Sequence, residues 1–166
     1  ERRVISYRSF VAPGGEPGQP ALLEDVATSG RLAFFPKLEG WGRTQVNGLD
    51  LTQLSGYASA QDIEIREGLL DVTTRTDADG ERVKVGLSML FHDLSVKEKS
   101  GGPIQRVLKL PMSLENALFL TRSPDGTHRI SVDIGLSPDG ISLADLATQA
   151  TSAIAVFFAS ALAGAP

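Results

Sequence analysis

The sequence predicts an α+β fold: a mostly antiparallel, curved β-sheet with a short helix and one long C-terminal amphipathic helix packed against it. Apolar residues occupy every second position over 83–91 and alternate with Arg82, Lys84, Gly86 and Ser88, which is typical of a half-buried strand. The tetrapeptide Ser-Pro-Asp-Gly occurs on both sides of a second alternating run. The last part of the chain repeats apolar residues at three- and four-residue spacing, which is helical periodicity.

The first alternating run lies in a predicted hairpin over 62–97. Its buried face carries Val83, Val85, Leu87, Met89 and Phe91. The apolar positions then change parity at Leu94, so a bulge is expected near His92 and Asp93. The other strand of this hairpin is an alternating run upstream, which changes register near Gly68. Residues 77–80 provide turn chemistry between the two strands.

The N-terminal half is predicted to contain short strands. Residues 2–11 form a strand-like run, and residues 12–20 hold three Pro and three Gly, which indicates a loop. Short strands joined by turns are expected over 31–51, with one turn at Asn47-Gly48. We therefore divide the chain into an N-terminal strand and loop, 1–20, and a single β-rich domain, 21–166. The abrupt start of the first run suggests that the chain is part of a longer one.

The C-terminal half is predicted to contain a short helix, a strand and a long helix. Ser113 is a candidate N-cap for a helix over 114–118. The Ser-Pro-Asp-Gly turns at 123–126 and 137–140 flank a strand that carries Ile130, Val132 and Ile134. The predicted contacts of the last helix with the sheet are Leu146, Ile154, Phe157 and Phe158. Its several Ser, Thr and Gln residues favour packing on the sheet over crossing a membrane.

No catalytic, metal or cofactor site is predicted, and the chain is not expected to be an enzyme. The two histidines, His92 and His128, have no second His nearby and are interpreted as solvated residues at strand ends. The sequence contains no cysteine. Its net charge of −4 comes from scattered residues without a basic stripe, which argues against a nucleic-acid partner.

Several short motifs resemble the AsmA-like superfamily, which is related to bridge-like lipid-transfer proteins. The similar stretches are LPMSLENALFL (110–120), SPDG (123–126), ISVDI (130–134), LDLTQLSGY (49–57) and GLLDV (68–72), within about 45–163. The resemblance implies a Gram-negative periplasmic or cell-envelope protein, close to a membrane, that contributes to lipid transport and outer-membrane maintenance. Members are usually longer and membrane-anchored, so this chain is expected to be a building block or a short structural relative.

Two functional hypotheses follow. In the first, the face bearing Val83 to Phe91, with Ile130, Val132 and Ile134, contacts lipid acyl chains, although it could equally be ordinary core under the last helix. One helix about 10 Å wide cannot cover six or more strands about 4.8 Å apart. In the second, the chain is a structural or interaction subunit that pairs its sheet with envelope protein partners. Lys97, Glu98 and Lys99 are then interpreted as charges that protect a strand edge.

Overall fold

The computed structural model describes residues 4–11, 21–33, 37–80, 82–136 and 143–163. Within these ranges six strands form one antiparallel sheet in sequence order, and the prediction of a mostly antiparallel α+β fold is confirmed. The strands are β1 (Val4–Val11), β2 (Asp25–Ala33), β3 (Glu39–Asp50), β4 (Ile63–Asp79), β5 (Val83–Glu98) and β6 (Thr127–Leu136). A short 3-10 turn (Leu51–Leu54) precedes the helices α1 (Ser55–Ser59), α2 (Pro103–Leu108), α3 (Leu114–Thr121) and α4 (Leu143–Ala163).

The predicted hairpin over 62–97 is present as β4 and β5. Val72 lies opposite Met89, and the register shifts between Glu67 and Leu69 on the β4 side. On the β5 side, the extra residue coincides with Asp93, whose φ of 47° is left-handed. The expected bulge after His92 is therefore confirmed, and it turns Leu94 towards the same side of the sheet as Phe91.

Two turns differ from their predictions: one lies later in the chain, and the other is a bulge inside a strand. Strand β4 continues through Asp77 to Asp79, where the amide of Asp79 donates to the carbonyl of Arg82, so the hairpin turn falls later than expected. Asn47 and Gly48 do not join two strands but form a bulge inside the twelve-residue β3. Gly48 has a φ of 63° and donates its amide to Asp71, so a tertiary contact holds the bulge within the strand.

Helix α2 was not predicted, because Gly101, Gly102 and Pro103 suggest only a break. Pro103 instead occupies the first turn, where a missing N–H costs nothing. The carboxylate of Glu98 accepts hydrogen bonds from the amides of Ile104 and Gln105 at 3.0 and 2.8 Å. The interpretation of Glu98 as edge protection is therefore wrong, since it caps a helix that folds back onto the sheet.

Helix α3 begins as predicted and is longer than predicted. The hydroxyl of Ser113 accepts a hydrogen bond from the amide of Asn116 at 3.3 Å, which confirms the N-cap. The helix continues to Thr121. The following turn is also confirmed, since the amide of Gly126 donates to the carbonyl of Ser123 at 2.9 Å. The second Ser-Pro-Asp-Gly turn, 137–140, lies outside the described residues.

The described core consists of two clusters on one face of the sheet. The first joins α3 to α4 and contains Leu110, Leu114, Ala117, Leu118 and Phe158. The second is formed by Ile130, Val132 and Ile134 of β6, against which the partly buried side chains of β5 pack. Ile154 of α4 contacts both clusters. Within the described ranges, no helix is both long enough and apolar enough to cross a membrane.

Candidate apolar binding site

A cavity of about 430 Å³ lies between the end of the sheet and helices α2, α3 and α4. Apart from His128 and Thr151, every side chain that lines it is apolar. The apolar lining residues are Phe91, Leu94, Val96, Pro103, Ile104, Val107, Leu108, Leu114, Leu118, Ile130, Ile154 and Phe158. Its volume is near the lower end of the ~300–1,000 Å³ range of small-molecule sites. An apolar group can therefore occupy this cavity while displacing few hydrogen bonds between the protein and water.

The sheet supplies the floor of the cavity through cross-strand pairing. Phe91 lies directly opposite His128, and Met89 lies opposite Ile130. Opposite residues of an antiparallel pair project from the same face. Leu94 joins this floor only because the bulge at Asp93 changes the parity of β5. The bulge is thus the local feature that extends the apolar floor beyond the end of β6.

The predicted apolar face is divided between core and cavity. Val85, Leu87 and Met89 pack against the buried residues Ile130, Val132 and Ile134. Of this face, Phe91 and Ile130 also line the cavity. Val83 is half-buried at the far end of β5. Most of the face therefore packs into the β6 cluster, with its β5 side chains partly buried, and its end near α3 lines the cavity.

The predicted helix contacts are described only in part. Ile154 is partly buried and Phe158 is 4% exposed, and both line the cavity. The side chains of Leu146 and Phe157 lie outside the described part of the structure. The two described contacts close the cavity from the side opposite the sheet.

His128 is buried rather than solvated, and the sequence-based interpretation of it is wrong. Its exposure is 2%, because α3 covers this end of β6. Its Nδ1 lies 3.4 Å from Oγ1 of Thr121 on α3. Burial lowers the pKa of His128, a hydrogen bond to the backbone of Thr121 opposes this shift, and the positive charge of Arg122 adds to it. The imidazole is therefore held neutral in the wall of an apolar cavity.

His92 is also not a free solvated residue. Its Nε2 lies 2.8 Å from Oδ2 of Asp71, and both side chains are about one-third exposed. The other oxygen of Asp71 accepts the amide of Gly48 at 2.8 Å. Desolvation opposes ionisation of Asp71, but the Gly48 amide and His92 together lower its pKa. Together with the Gly48 amide, the pair connects β3, β4 and β5 around the β3 bulge.

A polar groove of about 330 Å³ lies beside the apolar cavity. Leu94, Val96, Leu118 and His128 line both spaces. The groove adds charged or polar groups, namely Glu67, Asp93, Ser95, Glu115 and Arg122, together with Phe119. Arg122 and Asp93 form an ion pair at 2.8 Å. An apolar space and a polar space therefore share one wall, in which His128 is the titratable residue.

The sequence analysis missed the contribution of α2 to this site. Ile104, Val107 and Leu108 line the cavity, and Val107 is 58% exposed, which places it at the mouth. The spacing of these residues is helical. Pro103 directly after Gly102 is also a helix-start signal. Both signals were present, but the preceding glycines obscured them.

The sheet face continues beyond the helices, over β1 to β4. There it carries smaller side chains such as Thr44, Gly42 and Gly30, paired across the strands. The ring of Tyr7 lies over Gly30, since a Cβ added at that glycine would lie 2.5 Å from the Tyr7 hydroxyl oxygen. Glycine at this position therefore makes room for the ring.

Comparison with protein-family models, curated protein sequences and solved structures finds no match for the chain. Among the described residues, no group of His, Cys, Asp and Glu side chains is placed to hold a metal ion.

Proposed function

We propose that this protein is a non-catalytic module of the bacterial cell envelope that binds a lipid acyl chain in the cavity between its sheet and its helices. The apolar lining of that cavity carries the proposal. Burying an alkyl chain there would remove apolar surface from water at about 25 cal/mol per Å². The volume of about 430 Å³ favours one chain over the two chains of a phospholipid.

Two further elements belong to the proposal. The sheet is curved, and α4 packs on it along an amphipathic face that includes Ile154 and Phe158. Thr151 and Ile154 line the cavity while the adjacent Ser152 is exposed, which supports such a division of the helix into two faces.

The setting is proposed from the resemblance to the AsmA-like superfamily. It places the protein in the periplasm of a Gram-negative bacterium, where it takes part in lipid transport and outer-membrane maintenance. The apolar cavity supports a role with lipids. Deletion of the gene should then alter outer-membrane permeability, measured as uptake of an apolar dye by intact cells.

Filling the cavity tests the proposed binding site directly. Thr151→Trp would place an indole inside the cavity from α4, whereas Ser152→Trp would add the same ring on the exposed side of the same helix. The probe is diphenylhexatriene, an apolar dye whose fluorescence rises in dry surroundings. We expect Thr151→Trp to weaken dye binding at least tenfold and Ser152→Trp to leave it within twofold of the unaltered protein.

Circular dichroism and thermal melting of both variants provide the folding control. If the dye binds both folded variants equally well, the cavity is not its site and the proposal is wrong. Native mass spectrometry of the protein after mild extraction provides an independent test. Co-purified lipid supports the proposal, and a stoichiometric protein complex without lipid supports the second candidate.

The second candidate is a structural subunit that pairs its sheet with a partner in a larger envelope assembly. The observation in its favour is that β1 and β6 are the outer strands of the described sheet. Strand β1 pairs with β2 along all eight of its residues, which leaves its other edge as a template for pairing. Ser9→Pro removes a backbone donor from this strand and should dissociate such a complex without abolishing dye binding.

A further inference from the structure

His128 is, with Thr151, one of two residues with a polar side chain in the lining of the apolar cavity, and its protonation pattern follows from its surroundings. The hydroxyl of Thr121 donates its only proton within α3, to the carbonyl of Ala117 at 2.9 Å, with Leu118 also within reach at 3.2 Å. The oxygen of Thr121 is then left as an acceptor for Nδ1 of His128, 3.4 Å away. The proton of the imidazole therefore lies on Nδ1.

A neutral imidazole with its proton on Nδ1 has a lone pair on Nε2. Burial by α3 and the nearby charge of Arg122 both keep the ring neutral. Within the described part of the chain, Nε2 has no side-chain hydrogen-bond partner, and no buried side-chain nitrogen or oxygen there is left unsatisfied. Nε2 is therefore an acceptor that remains reachable from the space that His128 lines.

We propose that Nε2 of His128 accepts a hydrogen bond from a terminal O–H group of a single-chain amphiphile whose alkyl chain fills the apolar cavity. This inference rests on the proposed function and adds the chemistry of the ligand's polar end. A long-chain alcohol and the acid form of a long-chain carboxylic acid share that chemistry. The polar end would lie at the wall that His128 shares with the polar groove, and the chain would extend along Ile130 and Ile154.

A matched pair of ligands isolates the proposed hydrogen bond. Dodecanol and its methyl ether have the same alkyl chain, but only the alcohol has an O–H donor. Their affinities are measured by displacement of diphenylhexatriene from the folded protein. We expect the alcohol to bind about tenfold more tightly than the ether, which is the effect of about one hydrogen bond. The affinity for dodecanoic acid is measured separately at acidic and at neutral pH, because only its acid form carries an O–H donor. This measurement distinguishes a carboxyl ligand from an alcohol.

Two variants assign the preference to this residue. His128→Leu should bring the ratio of alcohol to ether affinity close to one. Thr121→Val removes the oxygen that holds the Nδ1 proton and should also reduce the ratio, because Thr121 acts as a positioning residue. The second variant decides the question if the first does not fold.

The outcomes separate this inference from the function on which it rests. If both ligands displace the dye with equal affinity, or if both variants retain the tenfold ratio, the assignment to His128 is wrong and the acyl-chain site stands. If neither ligand displaces the dye, both proposals are overturned.

Discussion

Replacement of Phe158 by alanine should destabilise the protein by about 3 kcal/mol. Phe158 is 4% exposed and packs in the cluster of Leu114, Ala117 and Leu118 that joins α4 to α3. Phe→Ala substitutions in protein cores cost about 3–5 kcal/mol. We expect the lower end of this range, because one side of the ring already faces the cavity and therefore has fewer packing partners to lose.

The assay is thermal unfolding followed by circular dichroism, with the fluorescence of the single tryptophan, Trp41, as a second signal. For a chain of this size, about 3 kcal/mol corresponds to a decrease of roughly 6–12 °C in Tm. Val156→Ala on the same helix is the control, since Val156 is 63% exposed and should shift the stability by less than about 0.5 kcal/mol. Equal Tm values for the two variants would refute the packing of α4 through Phe158.

Three further predictions follow from the described contacts. Met89→Asp should unfold or aggregate the protein, because it places an unpaired charge against the β6 cluster, whereas Lys84→Asp, on the exposed face, should melt normally. Burial lowers the pKa of His128 below 6.5, so the unfolded chain binds a proton at this residue before the folded chain does. The free energy of unfolding should therefore decrease as the pH falls from 6.5. Urea titrations at several pH values in which His128→Gln retains that decrease would contradict the assignment to His128. Asp71→Ala should cost about 1–3 kcal/mol in chemical denaturation by leaving the Gly48 amide without its acceptor, and an unchanged midpoint would argue against this contact.

The sequence pattern was sufficient to predict the structure wherever a residue's environment depends only on its own strand or turn. The alternation of Val85, Leu87 and Met89 predicted β5 and its buried face, and the change of parity predicted the bulge at Asp93. The N-cap at Ser113 could be predicted because its partner is only three residues away. In each case the deciding contacts are local or follow directly from the two-residue period of a strand.

Other features depended on hydrogen bonds that join a segment to residues outside it, and the pattern within the segment did not predict them. Asn47-Gly48 has the composition of a turn, yet Asp71, on the next strand, holds it as a bulge inside β3. Residues 101–103 have the composition of a break, yet Glu98 caps a helix there. Turn-forming residues permit several backbone conformations, and hydrogen bonds to a residue outside the segment select one of them.

The sequence by itself determined the fold class, the long hairpin and the apolar face, because these depend on the pattern of side chains along one strand. Only the tertiary structure decided that His128 is buried and that a cavity exists, since both depend on how α2, α3 and α4 close over the end of the sheet. A histidine at a strand end is solvated or buried according to the element that covers it. The space between sheet and helices is likewise set by side chains from five elements, and no single stretch of sequence contains that information.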